Sequence, residues 1–267
     1  DVGFVGIAVS LALLGTGIEI GSGPTDDDRT SDRLAGEHLA GDGPAAPVLV
    51  SAGGAVALPV LARRTVAASL TGFEWAVGVP GTVGGGVRMN AGGHGSDMAA
   101  SLVDVDLFDL RRGELVTLPA AALGLRFRGS DIADHQVVLA ARLGLAHGDR
   151  ERSEAELDEV VRWRREHQPG GQNAGSVFVN PVPGEVTAGA LVDEVGLRGM
   201  RIGTAHVSEK HANFIQADEG GSATDVRAVI EHVRAVVAER TGHLMRSEVR
   251  LVGFPDVPPD HHRGVTW

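Results

Sequence analysis

The chain has 267 residues, which is enough for about two domains of ordinary size. Its 43% apolar and 22% charged residues are typical of a globular protein rather than a disordered or collagen-like one. The absence of cysteine excludes disulfides, thiolate metal sites and cysteine nucleophiles, and the absence of tyrosine excludes chemistry that needs a phenol. With 24 basic and 35 acidic residues the net charge is −11, which argues against nucleic acid or an anionic membrane as the main partner.

The first part of the chain alternates apolar and polar segments. The apolar run over residues 3–15 follows no positive charge and is too short to span a bilayer, so it predicts a buried strand rather than a leader or an anchor. The segment over residues 21–47 is rich in Gly, Pro and Asp and predicts a solvated loop. Helical spacing follows from Pro59, which can open a helix, to Gly72, which can end it.

Two strands are predicted in the middle of the chain. From Leu102 to Leu110 apolar residues alternate with aspartates, which indicates a strand with one exposed face. Residues from Gln136 to Leu145 predict a second strand, and Arg111-Arg112-Gly113 is suited to a hairpin connection.

The last part of the chain predicts three helices. A capping-box pattern, Ser153 with Glu156, precedes a further apolar periodicity. A short helix is expected over residues 188–195 and a longer one from Ser222 to Gly242, followed by a strand over residues 248–252. Strands and helices in mixed order, with hairpins as well as crossovers, indicate an α+β fold. We expect domains over residues 1–150 and 151–254 and a loose tail over residues 255–267.

A glycine-rich segment is the first candidate ligand site. Five glycines lie among the nine residues from Gly78 to Gly86, and Asn90 and Gly92 follow. The segment has neither the Rossmann spacing nor the lysine of a P-loop. Such a backbone can approach a flat or charged ligand closely and direct N–H groups at it. On composition alone a ligand loop and an ordinary turn-rich loop are equally good interpretations.

Three further segments could carry chemistry. Ser176 has no nucleophile-elbow pattern, but a serine between a glycine and an apolar run can donate a proton from the start of a strand; a turn serine that caps backbone explains the spacing better. Arg126 and Arg128 would lie on one face of a strand, where they could bind phosphate or stabilise an enolate, or line a solvated edge. His206 and His211 are five residues apart, so we expect polar lining of a site and no metal.

Taken together and in order, these motifs resemble the UDP-N-acetylenolpyruvoylglucosamine reductase family, also called the UDP-N-acetylmuramate dehydrogenases. The resemblance runs along nearly the whole chain. The segments that carry it are Asp1-Val2-Gly3-Phe4, Gly72-Phe73-Glu74, Gly78 to Gly86, Phe127-Arg128-Gly129-Ser130, Gly175-Ser176-Val177-Phe178-Val179-Asn180-Pro181, His211-Ala212-Asn213-Phe214 and Glu248-Val249.

The resemblance implies a cytoplasmic flavoenzyme of peptidoglycan precursor synthesis, with an FAD-binding domain of the vanillyl-alcohol-oxidase-like type and a smaller α+β substrate-binding domain. NADPH would reduce FAD, and the flavin would pass a hydride to the enolpyruvyl group of UDP-N-acetylglucosamine enolpyruvate, a UDP-sugar. We expect a monomer with small-molecule partners only, and neither nucleic acid nor membrane among them.

Roles for single residues also follow from the resemblance. Ser176 matches the serine that protonates the substrate carbon, and Arg128 and Glu248 match the pair that polarises the carboxylate and stabilises the enol. Asn180 and His211, with Arg128, match substrate contacts. The implied FAD-binding residues are Gly78, Val79, Pro80, Gly81, Thr82, Gly84, Gly85, Asn90 and Gly92.

Two departures from the family pattern shape these expectations. Phe127 stands where the family has a tyrosine, so the chain fits the subgroup without a tyrosine that closes over the substrate. The family carries a small FAD-cradling subdomain before its D-x-G-F-x-G stretch, which is here Asp1 to Gly6, so we expect the first domain to be cut short. Two alternatives stay open: another FAD-dependent oxidoreductase of the same flavin fold, and a catalytically silent fragment that binds the UDP-sugar.

Overall fold

The structure is a computed structural model, and it describes residues 15–21, 46–182, 184–251 and 253–254. The strand predicted over residues 3–15, the loop over 21–47 and the tail over 255–267 lie wholly or mostly outside the described residues. The chain forms two compact units that divide between Arg162 and Trp163. We call their described parts the N-terminal unit, from Gly15 to Arg162, and the C-terminal unit, from Trp163 onward. The domain boundary expected near residue 150 stays a prediction.

The N-terminal unit is built on an antiparallel sheet. Its elements in chain order are β1 (Ile18–Ile20), β2 (Val48–Gly53), α1 (Leu58–Ala67), β3 (Leu70–Thr71), α2 (Val83–Arg88), β4 (Gly92–Gly93), β5 (Ser96–Asp97), β6 (Leu102–Asp109), β7 (Glu114–Pro119), β8 (Gln136–His147) and the start of α3 (Arg150–His167). The strand order is β1-β2-β8-β6-β7, and β3 also pairs with β8. Strands β4 and β5 form a separate hairpin.

The core of this unit is formed by the apolar residues of two patterns, the two-residue alternation of the strands and the helical spacing of α1. Val48 and Val50 of β2 are buried while Leu49 between them is 46% exposed, as the alternation of a strand requires. Leu61 and Val66 of α1 belong to the same cluster of buried side chains. The middle of the chain therefore folds around one apolar layer, as the predicted strand alternation indicated.

Two predicted boundaries are wrong in this unit. Helix α1 ends at Ala67 rather than at Gly72, because Ser69 adopts a left-handed φ of 59° and the chain then pairs as β3 with β8. The turn at Arg111-Arg112-Gly113 does form a hairpin, but it leads to β7, a strand that the sequence analysis missed. Five of the six residues of β7 are exposed, which explains why this edge strand carries no clear burial pattern.

The capping box predicted at Ser153 is also wrong. The Oδ1 atom of Asp149 accepts a hydrogen bond of 2.9 Å from the Arg152 amide, so the helix begins before Ser153. Ser153 instead lies inside α3, buried, and its hydroxyl donates to Oε1 of Glu74 at 2.6 Å. The pattern of residue types was that of a cap, but the hydroxyl serves a buried carboxylate 79 positions earlier in the chain.

Glu74 ties the segment before the glycine-rich loop to α3. It is only 4% exposed, and it also accepts hydrogen bonds from the Thr71 hydroxyl at 2.7 Å and the Gly72 amide at 2.8 Å. Burial raises the pKa of Glu74, but the hydrogen bonds from Ser153, Thr71 and the backbone outweigh it, so the pKa lies below its ordinary value. The carboxylate is therefore ionised and held in place from three sides.

Replacing Ser153 with alanine should lower the free energy of unfolding at pH 7 by about 1.5 to 3 kcal/mol, the usual contribution of a hydrogen bond to a charged group. Because the pKa of Glu74 in the folded state is below its ordinary value of 4.5, the stabilisation by the ionised carboxylate is complete above about pH 4.5 and is lost as the pH falls through the folded pKa. The difference between the two proteins should shrink in acid. Urea unfolding at pH 7 and at successively lower pH measures both effects.

The exposed Glu159 of the same helix gives the control for this measurement. Glu159→Gln should change the free energy of unfolding by no more than about 0.5 kcal/mol, as expected for a surface position. Equal stability of Ser153→Ala and the parent protein at pH 7 would contradict the role given to Glu74.

The C-terminal unit holds a second antiparallel sheet with helices. Its elements are the end of α3, β9 (Asn173–Ser176), α4 (Ala188–Glu194), β10 (Arg201–Ile202), β11 (Ala205–Val207), β12 (Phe214–Ala217) and α5 (Ala223–Thr241). The strand order is β10-β11-β12-β9. Helix α5 contributes buried Val229, Ile230, Val233 and Val237 to the core that this sheet shares.

Both helices predicted here are confirmed. Helix α5 begins after Ser222, whose hydroxyl accepts from the Thr224 amide, and ends before Gly242 at φ 75°. Helix α4 ends just before Gly196, as predicted. The strand predicted over residues 248–252 is wrong for its described part, residues 248–251, which form no strand; just before it, Ser247 forms a single bridge with Phe178. Helices beside antiparallel sheets in both units confirm the α+β class. Among the described residues no helix has the length and apolarity needed to cross a membrane.

Candidate functional site

The glycine-rich segment is fixed by its own backbone against the loop between β2 and α1. The Gly81 carbonyl accepts from the Leu58 amide at 3.0 Å, and the Gly84 amide donates to the Gly54 carbonyl at 2.8 Å. A Cβ at Gly86 would lie 2.9 Å from Met98 Cε and 3.2 Å from Leu58 Cδ1, so the helix packs closely against these two side chains at this position. These contacts make the segment a rigid surface rather than a loose loop.

The outer side of this segment is open. Pro80, Gly81, Thr82 and Gly85 are exposed, and nothing lies within 4 Å of the position that a Cβ of Gly81 would take. Gly81 has a φ of 130°, which favours glycine. The amides of Gly81 and Thr82 donate to no atom of the described residues. The segment thus presents bare backbone with unused donors, and this fits the phosphate or ring system of a dinucleotide such as FAD.

The other residues predicted to bind the cofactor include Gly78, Val79, Asn90 and Gly92, and they support this surface through contacts within the fold. Gly78 ends a buried 3₁₀ turn, and Val79 connects it to the exposed residues. Asn90 is 5% exposed and uses its side chain within the fold: Nδ2 donates to Asp97 at 3.0 Å, and Oδ1 accepts from the Ala99 amide. A side chain on Gly92 would approach Ser96 O within 2.6 Å, so glycine allows the β4–β5 hairpin to close.

The two arginines expected on one strand lie instead in a tight turn. Arg126 and Gly129 exchange backbone hydrogen bonds of 3.0 and 3.1 Å, and Arg128 between them has a left-handed φ of 56°. The Arg126 guanidinium donates to Gly124 O at 2.9 Å and to Asp131 at 2.6 Å, so it stabilises the turn itself. The prediction of a shared strand face is therefore wrong, because the reversal separates the directions of the two side chains.

Arg128 is directed away from the contacts that Arg126 makes. Its Cζ lies 5.2 Å from the centroid of the Phe127 ring, a cation–π distance, and its Nη1 lies 3.5 Å from Gly92 O in the β4–β5 hairpin. The turn therefore brings Arg128 beside the hairpin that follows the glycine-rich segment, within the N-terminal unit.

Ser176 lies at the end of β9, not at a strand start. The strand pairs Ser176 with Phe214 and Asn173 with Gln216, so β9 has one extra residue and forms a bulge. Gly175 takes the left-handed φ of 68° that the bulge requires, and its amide donates to Asn173 Oδ1 at 2.9 Å. The bulge leaves the Ser176 side chain exposed.

Glu248 lies on the segment that runs beside Ser176. The Glu248 amide donates to Val177 O at 2.8 Å, and the Val179 amide donates to Arg246 O at 2.9 Å. The backbone of Glu248 thus pairs with the residue that follows Ser176, within the C-terminal unit, whereas Arg128 belongs to the N-terminal unit.

Asn213 is a residue of this site that the sequence analysis did not select. Its side chain is buried and bonds both backbone groups of Phe178: Oδ1 accepts from the amide and Nδ2 donates to the carbonyl, each at 2.9 Å. Its own carbonyl accepts from the Val177 amide at 2.8 Å. Asn213 thereby holds the two residues after Ser176. The only sequence signal was an asparagine within an otherwise apolar strand start.

His211 and Asn180 also use part of their side chains within the fold. His211 Nδ1 accepts from the Asn213 amide at 3.2 Å, and its ring packs against Phe214 with centroids 4.8 Å apart. Burial lowers the pKa of His211, and the nearby Arg198 and His167 lower it further, against a smaller opposing effect of a backbone hydrogen bond. The ring is therefore neutral near pH 7. Asn180 Oδ1 accepts from the Ala188 amide at 3.0 Å and so caps α4.

Comparison with known proteins defines the class of the two halves. Residues 46–119 match the family model described as an FAD binding domain, and residues 167–252 match the C-terminal domain of UDP-N-acetylenolpyruvoylglucosamine reductase. The chain thus combines, in this order, an FAD-binding type of domain with a reductase C-terminal domain.

Curated relatives extend the match across both halves. UDP-N-acetylenolpyruvoylglucosamine reductase of Heliobacterium modesticaldum is 42% identical over 76% of this chain and 65% of its own length. The Rubrobacter xylanophilus enzyme of that name is 40% identical over 85% of this chain and 74% of its own length. The crystal structure of the reductase (MurB) from Thermus caldophilus is 33% identical with a TM-score of 0.67, and the match covers 75% of this chain and 71% of that one.

The chain belongs to the UDP-N-acetylenolpyruvoylglucosamine reductase family, as the sequence resemblance indicated. It spans about two thirds of the length of several of the curated relatives that it matches.

Proposed function

We propose that the chain carries the reductase activity of its family: NADPH-dependent reduction of the enolpyruvyl group of UDP-N-acetylglucosamine enolpyruvate to UDP-N-acetylmuramate. The observation that carries the proposal is the placement of Ser176. The bulge at Gly175 and the hydrogen bonds of Asn213 to Val177 and Phe178 fix its position, and the segment of Glu248 pairs with the residues that follow it. The names of the relatives support the reaction. We further propose a cytoplasmic, monomeric protein that acts in peptidoglycan precursor synthesis and has small molecules as its partners.

The residues present fit FAD at the glycine-rich segment. The exposed backbone of Gly81 and Thr82 and the bare position of Gly85 would hold the cofactor, above the scaffold made by Gly84, Asn90 and Gly92. When bound, FAD supplies the hydride that reduces the substrate.

The side chains of the C-terminal unit and Arg128 supply the remaining chemistry. Addition of a hydride next to a carboxylate builds negative charge on the substrate, which Arg128 stabilises by its fixed positive charge, while Glu248 holds the enol oxygen by a hydrogen bond. The Ser176 hydroxyl donates the proton that completes the reduction at the neighbouring carbon. Asn180 and the neutral ring of His211 contact and orient the UDP-sugar.

Two measurements on the purified protein test the proposal. The absorbance spectrum reports bound flavin, and anaerobic mixing first with NADPH and then with the enolpyruvyl UDP-sugar separates flavin reduction from substrate reduction. We expect a flavin spectrum that NADPH bleaches and the UDP-sugar restores. Bleaching without restoration would favour another FAD-dependent oxidoreductase. Binding of the UDP-sugar without flavin would favour a silent binding fragment.

Gly81→Ala should weaken FAD binding at least about tenfold. A Cβ makes the backbone conformation at φ 130° less favourable by about 1 to 3 kcal/mol, so less of the apoprotein holds the conformation that binds FAD, and the methyl group covers the surface on which the cofactor would lie. Titration of the apoprotein with FAD, followed by fluorescence quenching, measures the dissociation constant. Gly113→Ala, at φ 70° in the exposed β6–β7 turn, is the matched control and should leave FAD affinity unchanged. Equal FAD affinity in Gly81→Ala and the parent would remove Gly81 from the binding surface.

A further inference from the structure

Arg88, the last residue of α2, is hydrogen-bonded to the segment that follows the turn between Arg126 and Gly129. Its Nη1 donates to the carbonyls of Ile132 at 2.7 Å and Ala133 at 3.0 Å, and its Nη2 forms an ion pair with Asp134. The side chain is 27% exposed, so solvent screens these contacts only in part. One guanidinium thus holds three consecutive residues.

The backbone of Arg88 is bound by the same segment. The Ser130 hydroxyl donates to Arg88 O at 2.7 Å and accepts from the Ile132 amide at 3.4 Å. Residues 130–134 are therefore attached to the end of α2 from two directions. This attachment is long range, since 42 to 46 positions separate the partners in sequence.

The attached segment begins two residues after Arg128, whose backbone is in the left-handed region. A residue other than glycine pays about 1 to 2 kcal/mol for that conformation, so the surrounding contacts must maintain it. Arg126 and Asp131 maintain the internal shape of the turn. The contacts of Arg88 and Ser130 connect residues 130–134 directly with the end of α2.

We propose that Arg88 is a positioning residue: it fixes the turn that carries Arg128 relative to the glycine-rich segment that ends in α2. The catalytic consequence rests on the proposed function, since Arg128 acts there on charge that develops beside the flavin surface. The positioning itself is a property of the fold.

Hydrogen exchange of residues 126–134 in the flavin-loaded protein tests the positioning independently of activity. Arg88→Ala should accelerate exchange of these amides at least about tenfold, because local opening no longer breaks the guanidinium contacts. Arg142→Ala is the matched control: Arg142 is 24% exposed and pairs with Asp104 and Asp106 on the sheet of the same unit. It should leave exchange of residues 126–134 unchanged.

Kinetics give the second readout. Arg88→Ala should slow substrate reduction by about tenfold to a hundredfold through misplacement of Arg128, with flavin reduction by NADPH within about twofold of the parent. Arg142→Ala should leave the ratio of the two half-reactions unchanged. Arg88→Lys, which keeps a charge for Asp134 but has no planar fork for the carbonyls, should fall between, and it replaces Arg88→Ala if that variant does not fold.

The outcomes separate this proposal from the proposed function. Unchanged exchange in a folded Arg88 variant, or equal slowing of both half-reactions, would overturn the role of Arg88. A parent protein that fails to reduce the UDP-sugar would overturn the proposed function, and hydrogen exchange alone would then decide whether Arg88 positions the turn.

Discussion

Substrate reduction is expected to fall by about 10² to 10⁴ in Ser176→Ala, the usual contribution of a positioned proton donor. Flavin reduction by NADPH should continue within about twofold of the parent rate, because the hydroxyl lies on the C-terminal unit and the glycine-rich segment on the other. Stopped-flow absorbance of the two half-reactions measures both rates. Equal slowing of both would show that the serine has a structural role.

Ser222→Ala is the matched control for this variant. It removes the hydroxyl that caps α5 in the same unit and should cost about 1 kcal/mol of stability. Neither half-reaction should change. The comparison therefore separates the loss of one particular hydroxyl from general destabilisation of the C-terminal unit.

Arg128→Gly should slow substrate reduction by about 10² to 10³ and yet change the free energy of unfolding by no more than about 1 kcal/mol, because relief of backbone strain offsets the lost contacts with Phe127 and Gly92. The loss of rate follows from removal of a fixed positive charge at the developing negative charge. Glycine relieves about 1 to 2 kcal/mol of strain at φ 56°, which offsets its own conformational entropy of about 0.5 to 1 kcal/mol. Half-reaction kinetics and urea unfolding measure the two effects.

The exposed Arg112, in the turn between β6 and β7, supplies the control. Arg112→Ala also removes one positive charge from the N-terminal unit, so a general electrostatic effect would appear in both variants. If stability and rate fell together in Arg128→Gly, the strained turn would be needed for folding and not for catalysis.

Elements with a strong local signal could be predicted from the sequence. In helix α5 the apolar spacing determines the buried face, the N-cap Ser222 determines where the helix begins, and the left-handed Gly242 determines where it ends. Helix α4 and strands β6 and β8 were found for the same reason. In these elements burial, capping and turn chemistry all favour one structure.

The errors lie where the local structure depends on which partner a side chain or a strand finds in the fold. Ser153 has the spacing of a cap, but a carboxylate from another part of the chain takes its hydroxyl. Arg126 and Arg128 have the spacing of a strand, but Asp131 draws Arg126 into a turn. Strand β7 is held by pairing with β6, and only Leu118 among its side chains is partly buried, so its sequence shows no alternation of buried and exposed residues.

The same distinction holds for the candidate site. The glycine-rich segment could be found because several glycines in a short stretch are costly in conformational entropy and are typical of backbone that takes unusual dihedral angles or approaches a ligand closely. The sequence could not tell which residues of the segment are exposed, such as Gly81 and Thr82, and which are packed. That depends on contacts with Met98 and with the loop between β2 and α1. Asn213 was missed because its partners, the backbone groups of Phe178, carry no sequence information of their own.

In the proposed function His211 contacts the substrate, and the hydrogen bond to its ring then has a consequence for ligand design. Since Nδ1 accepts from the Asn213 amide and the ring is neutral, the single proton is on Nε2. An inhibitor group that meets this nitrogen must therefore offer a lone pair. A carboxylate or carbonyl at that position should gain affinity, while an isosteric amide N–H or ammonium should lose it. The Asn213 amide therefore determines, through the tautomer of His211, whether a hydrogen-bond acceptor or a donor suits this position of the proposed site.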